Sequence, residues 1–422
     1  MTKLKRFVTV AAAASLAATA LVATSVNSAT AATTLVISSD LPLQGPAGTS
    51  NADTNNAIKL YLKQIGYKAG AYTIEFKEYD NSTATAGSWD PAKCAQNAQD
   101  HVANTSEVAV MGTYNSGCAK IIVPVLNQAP GGAMLMVSHA NTNVGLTKPY
   151  DTGEPMKYYP SGARNYARVC IADDDQGAVA ANFAKSKGIK SVYVLNDTQT
   201  YGQGVAGSFI VQAKKIGLKV LSSGKYGQSW DAKQTSYKAL FTKIKASKPD
   251  LVYFGGIFDN NGGQLTKDKY AVLGNNNKVH LMAPDGFEGY KEFTKLKQAQ
   301  DAWLTFPGLS ADLLAAKYPN GGSVKFLKDF QAEYGHAPES AYAIYGVAAV
   351  QVILAAIAKS NGSRADVVKQ VFSGSGITIA AADSILGRSI SINPNTGDTS
   401  AKDLTILQIT DNRETTLQSA SA

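Results

Sequence analysis

Apolar residues along this chain fall into short runs of strand length, separated by longer stretches with a helical repeat. The first runs are TLVISSDLP (34–42), IEFKEYD (74–80), VAVMGT (108–113) and AMLMVS (133–138). Between them, Ile58, Leu60, Tyr61, Leu62 and Ile65 mark a helix over 52–64. Asp90-Pro91 opens a second helix with an N-cap acid and a proline in the first turn, and a third starts near Gly117. Strands that are apolar on both faces, joined by helices, predict a parallel, doubly wound sheet.

After about residue 166 the rhythm restarts. Asp173-Asp174-Asp175 opens a helix holding Val179, Phe183 and Ala184. SVYVLND (191–197), a helix over 204–216, LKVLSS (218–223), a helix over 232–247, DLVYFGG (250–256), HLMAP (280–284) and AWLTFPG (302–308) follow. Two more helices come next, one with Val324, Phe326, Leu327 and Phe330, the other over 340–358. SILGRSISI and DLTILQIT flank Asn395-Thr396-Gly397-Asp398, which predicts a hairpin, and the tail 414–422 is expected to fray. With 422 residues, 45% of them apolar, the chain is too long for one ordinary core and divides into two α/β lobes.

The first 31 residues have another character. MTKLKR carries three positive charges, an apolar run broken by Thr9, Ser15 and Thr19 follows, and Ala29-Thr30-Ala31 is a small-residue cleavage site. This predicts a secretory signal peptide over 1–31, with mature protein starting near Ala32 outside the cytoplasm. No cysteine follows the leader, so a lipoprotein is not expected. No other run approaches about 20 apolar residues. The formal charge of +8 falls to +5 once Lys3, Lys5 and Arg6 are removed, and the remaining lysines are dispersed, which argues against nucleic acid as a partner. Export favours disulfide formation among the three cysteines. Cys94 and Cys118 begin successive helices, which start at the same edge of a parallel sheet, so these two are expected to pair and Cys170 to stay free.

Signals for catalysis are thin. Gly202, Gly204 and Gly207 in YGQGVAG spell G-x-G-x-x-G, yet four residues separate Asp197 from Gly202, and LKVLSS lacks the acid that would hold a ribose. The four histidines form no metal motif, and neither a G-x-S-x-G elbow nor a phosphate loop occurs. No enzyme, metal or cofactor is expected. The strand ends, where parallel sheets hold ligands, are more informative. They carry Tyr114-Asn115-Ser116-Gly117 before a helix, His139-Ala140-Asn141-Thr142-Asn143, Tyr201, Ile257-Phe258 and Asp285-Gly286. Hydroxyls and helix-start N–H groups on one lobe, with a carboxylate on the other, suit the two charged ends of one amino acid.

SDLPLQGPAG (39–48), VMGTYNSGCAKIIVPVLNQA (110–129), MVSHANTNVGLT (136–147), RVCIADDDQGAVAA (168–181), LNDTQTYGQGVA (195–206), VYFGG (252–256) and MAPDGF (282–287) together resemble the leucine/isoleucine/valine-binding family, the type I periplasmic-type solute receptors of ABC transporters. The resemblance spans about 33–413. It implies a first lobe of 33–166 plus 308–378, a second of 167–305 plus 380–413, and three crossovers near 166, 305 and 380. It implies that Ser116 and Thr142 hold the ligand's carboxylate and ammonium, that Tyr201 closes over it and that Asp285 takes the ammonium. Asn115, Asn141 and Phe258 complete the expected site. It further implies a separate permease and ATPase; a monomer is expected. Many relatives carry an aromatic near 46–51, where this chain has Ser50 and Asn51. The ligand class therefore extends to amides, urea or aromatic acids, and a ligand-sensing receptor domain is the alternative role.

Overall fold

The computed structural model describes residues 33–422. The expected leader and its cleavage site near Ala32 lie outside the described residues.

The first apolar runs form one sheet in the order Lys68–Ala69, Tyr72–Asp80, Thr34–Leu41, Glu107–Gly112, Leu135–Ser138 and Tyr166–Arg168. All neighbours are parallel except the short Lys68–Ala69 edge. Glu107–Gly112 and Leu135–Ser138 are buried throughout, as strands covered on both faces must be. One face is covered by Pro91–Ala103 and Ser116–Asn127, linked by the Cys94–Cys118 disulfide. The other is covered by Gly48–Gln64 and Tyr342–Lys359. Asp90 caps its helix as expected, accepting from the N–H of Lys93 at 2.9 Å, with Pro91 behind it. Cys170 is a buried free thiol.

The second sheet runs Lys219–Val220, Ser191–Asn196, Leu251–Gly255, His280–Ala283, Trp303–Phe306, Asp403–Thr410 and Arg413–Ser421. Its first five strands are parallel and its last two antiparallel. The chain thus leaves the first sheet after Arg168, returns to the first lobe after Phe306, and rejoins the second sheet at Asp403. This is the two-lobed α/β architecture with three chain crossings expected from the sequence.

Several local expectations are corrected. The hairpin around 395–398 is a tight loop with a single bridge, Ile392 to Thr399. Ile390–Ser391 pairs with Thr378–Ile379, and Gln351 binds the N–H of Ile385 and the carbonyl of Asp383. Residues 378–391 therefore side with the first-lobe helix Tyr342–Lys359, and the third crossing comes after them rather than near 380. The real hairpin joins Asp403–Thr410 to Arg413–Ser421, so the tail expected to fray is an edge strand. The 18-residue helix Tyr342–Lys359 is long and apolar enough to cross a membrane, but 83% of it is buried in the protein. It is a core helix. The helix expected over 204–216 begins at Thr200, so the glycines of YGQGVAG lie inside it. Their purpose is close approach: a Cβ on Gly202 would lie 2.1 Å from Asp197 Oδ1, and one on Gly204 would lie 2.5 Å from Asn143 Nδ2.

Candidate functional site

The strand ends of both lobes face one another across a narrow cavity of only about 10 Å³. Tyr114, Asn115, Ser116 and Ala140 line it from the first lobe, and Tyr201, Ile257, Asp285 and Gly286 from the second. The lobes touch around it. Trp89 Nε1 donates to Gln199 Oε1 at 3.0 Å, and Asn143 Nδ2 to the carbonyl of Thr200 at 3.1 Å. A wider groove lies between 288–295, 337–341 and 412–416, away from the expected ligand residues.

On the first lobe, Asn115 is the N-cap of Ser116–Asn127 but its side chain makes no capping bond, and its Oδ1 is buried without a partner. The first N–H groups of that helix have no acceptor within the helix. They face the cavity beside the Ser116 hydroxyl, which accepts from the N–H of Asn143 at 3.3 Å. Thr142 is fully buried and its hydroxyl is unpartnered. Asn141 has a different task. Its amide donates to the carbonyls of Thr113 at 2.7 Å and Tyr114 at 3.0 Å, and accepts from Tyr166 at 3.2 Å, so it braces the loop instead of facing the cavity. Ser50 and Asn51 both turn back to the carbonyl of Ala47, so neither takes the place of the missing aromatic.

On the second lobe, the Tyr201 hydroxyl donates to Asp285 Oδ1 at 2.7 Å and accepts from the N–H of Gly286 at 3.0 Å. Gln176 Nε2 donates to the same Asp285 oxygen at 2.5 Å. Burial pushes the Asp285 carboxyl up to about 6, against the opposing effect of the tyrosine hydroxyls. Asp197 ties the strand end to the loop beyond Gly255, accepting from the N–H of Ile257 at 3.0 Å and from Asn260 at 2.7 Å, which fixes Ile257 at the cavity wall. Phe258 points away. Its ring packs on Phe287, Tyr290 and Phe293 at 5.1–5.9 Å between centroids, so it supports the wall without lining it.

Three residues absent from the expected set stand out. Tyr342 reaches over from the first lobe, and its hydroxyl donates to Asp285 Oδ2 at 2.7 Å. Its ring is set edge-on against Tyr114, His139 and Phe306. Gln176, named above, has an unpartnered carbonyl oxygen. Asp173 is fully buried with neither oxygen hydrogen-bonded, close to the Thr142 hydroxyl. Burial, and then the nearby Asp285 charge, hold its carboxyl well above the usual range. The sequence offered a signal for Asp173 in the acidic triplet at a helix start, but that pattern also serves the helix dipole. The described residues contain no group of three or more side chains suited to a metal ion.

Residues 39–413 match the family model described as periplasmic binding protein. The Leu/Ile/Val-binding protein BraC3 of Rhizobium johnstonii is 28% identical over 323 residues, covering 76% of this chain and 78% of that protein. Among solved structures, a leucine binding protein LivK from Thermotoga maritima superposes with a TM-score of 0.72 at 20% identity, over 92% of this chain and 99% of the other. A solute binding protein from R. palustris in complex with 4-hydroxybenzoate gives 0.72 at 16% identity, over 92% and 97%. With the family model spanning nearly all of the described residues, and with a cleft formed where two parallel sheets meet, the chain belongs to the periplasmic binding protein family, whose members are non-catalytic solute receptors outside the cytoplasm.

Proposed function

We propose that this receptor captures an α-amino acid between its lobes and presents it to a separate membrane permease driven by its own ATPase. One observation carries the ligand class: the buried Asp285 carboxylate lines the cleft from the second lobe with Asp173 close by, and neither makes an ion pair with a lysine or arginine among the described residues. A buried anion without a counter-ion is costly, so the ligand brings a cation. Opposite them, the Ser116 hydroxyl and the free N–H groups of its helix suit an anion. An amino acid has both ends.

Relatives point two ways. One is named for leucine, isoleucine and valine, and a structural neighbour carries 4-hydroxybenzoate. A benzoate would add a negative charge beside the Asp285 carboxylate, so the amino-acid reading is preferred. Ser116, Thr142, Tyr201, Asp285 and Asp173 are assigned to the two charged ends, and Tyr114 and Ile257 to the ligand side chain. The test is a thermal-shift screen of the mature protein against amino acids, amides, urea and aromatic acids. A ligand at 100 times its Kd stabilises by about 2.7 kcal/mol. Stabilisation by 4-hydroxybenzoate and by no amino acid would reject the reading.

A further inference from the structure

One buried cation of the first lobe has no part in the capture reading. Arg168 ends the strand Tyr166–Arg168, where the chain first leaves that lobe, and its side chain is fully buried. Its Nε donates to Asp398 Oδ1 at 2.8 Å. Its Nη1 donates to two carbonyls, of Asn141 at 3.0 Å and Asn143 at 2.9 Å, and its Nη2 to the Thr147 hydroxyl. A planar fork with donors on three nitrogens meets all four acceptors at once, which the point charge of an ammonium does not.

The acceptors are grouped around the cleft. Asn141 and Asn143 flank Thr142, so one nitrogen holds the backbone on both sides of an expected ligand residue. The other donors to these two carbonyls among the described residues are long: the Cys170 thiol at 3.5 Å and the N–H of Leu146 at 3.4 Å. Without the guanidinium, two buried carbonyls would be left poorly satisfied. The same segment makes the bonds that matter to the cleft. The N–H of Asn143 donates to the Ser116 hydroxyl at 3.3 Å. Asn143 Nδ2 donates to the carbonyl of Thr200 at 3.1 Å and Lys148 Nζ to Asp174 Oδ2 at 2.7 Å, and both of these bonds reach the second lobe.

The other end of Arg168 is fixed by the third passage of the chain between the lobes. Asp398 lies in the loop 393–399 that leads to Asp403–Thr410, and the N–H of Arg168 donates to the carbonyl of Gly397 in that loop at 2.9 Å. Burial acts against ionisation of Asp398, yet the charges of Arg168 and then Lys148 hold its carboxyl below the usual range.

We propose that Arg168 is a positioning residue for the cleft, which sets the ligand loop 141–147 and ties it through Asp398 to the third passage of the chain. It does not line the cavity. It fixes the backbone around Thr142, so that the Thr142 hydroxyl, the Asn143 N–H and the two bonds to the second lobe are placed together. A shift of 393–399 as the lobes turn reaches the ligand loop through this side chain. The effect on ligand capture rests on the proposed function; the brace on the loop does not.

Hydrogen–deuterium exchange of the ligand-free protein tests the brace without assuming a ligand. In the parent, the N–H groups of Asn141, Asn143 and Gly145 are held by Ser138, Ser116 and the Asn143 side chain. Arg168→Lys keeps the charge but not the fork, and Asp398→Asn removes the anion at the far end. Each should speed exchange across 140–147 by about tenfold or more, and exchange across Leu251–Gly255 of the second sheet far less. If Arg168→Lys does not fold, Asp398→Asn decides. An equal rise in both segments would make Arg168 a residue of general stability, and unchanged exchange across 140–147 would remove the brace; either overturns the proposal. Calorimetric titration with L-leucine, L-valine and L-alanine adds the functional readout. Asp398→Asn should weaken whichever of them binds the parent by about tenfold, and an equal Kd would overturn the positioning role. If none binds the parent, the exchange comparison decides alone, and the capture reading is judged by the wider screen.

Discussion

Asp285 takes three donors, from Gln176, Tyr201 and Tyr342, while Asp173, buried close by, takes none. On the amino-acid reading, removing Asp285 does two kinds of damage: it leaves the ligand ammonium without its anion and strands two tyrosine hydroxyls. Asp285→Ala should weaken amino-acid binding by about 2–4 kcal/mol, roughly 30- to 1,000-fold in Kd. Ser116→Ala should cost about 1–2 kcal/mol, because the helix N–H groups remain. Calorimetric titration of both with the amino acid that the screen returns checks the order, and equal Kd for Asp285→Ala and the parent would remove the ammonium assignment. Of the expected site, the strand-end residues Asn115, Ser116, Tyr201 and Asp285 were legible because parallel sheets put ligands there. Tyr342 was not, since it sits in an apolar run that reads as core, and its reach to the other lobe is a tertiary fact. A second residue makes a prediction about pH. His101 is buried between Asp40 at 3.0 Å and Glu107 at 2.7 Å. Burial alone would lower its pKa, but those two bonds outweigh burial and hold it at about 9. Its folded pKa is raised, so its contribution is complete below pH 6.5 and lost as pH climbs to about 9, a loss of roughly 3 kcal/mol. Denaturant titrations of the parent and His101→Gln at pH 6 and pH 9 should show a smaller pH effect in the variant; parallel losses in both would refute the assignment.

At the scale of elements, the helices Pro91–Ala103 and Ser116–Asn127 start at one sheet edge, and their first turns are joined by Cys94–Cys118. The bond closes a sequence separation of 24 residues, worth about 3–4 kcal/mol if it acts by restricting the unfolded chain. Cys94→Ser with Cys118→Ser should therefore lower the guanidinium midpoint markedly, and an unchanged midpoint would show that packing alone holds the two helices. Strand positions were legible from apolar runs because strands buried on both faces leave little room for polar residues. The hairpin was misplaced for a related reason. Ile385, Leu386, Ile390 and Ile392 look like an alternating strand, but they are buried in the core shared with Tyr342–Lys359. Periodicity shows that residues are buried and says nothing of which element buries them. The start of the helix at Thr200 was hidden by glycines, which favour loops in isolation and here let the helix lie against Asp197 and Asn143.

The whole molecule is two lobes joined by three passages of the chain, and side chains such as Trp89, Asn143, Tyr150 and Lys225 bond across from one lobe to the other. Addition of a saturating amino acid should lower the radius of gyration of ligand-free protein, since a ligand that bridges Ser116 and Asp285 holds the two lobes together. An unchanged radius with full binding would mean that the lobes are already closed without ligand. The path of the chain has a further meaning, for the order in which the protein is made. The second sheet takes its strand Trp303–Phe306 early, and the neighbour Asp403–Thr410 arrives 97 residues later, counting from Phe306 to Asp403. At a synthesis rate of about 5–20 residues per second, that strand edge waits roughly 5–20 s for its partner. Neither lobe is a continuous stretch of the gene. A chain halted between Ile392 and Asp403 has a first lobe nearly complete and a second with an unpaired edge, so termination there yields an adhesive fragment instead of a smaller working domain.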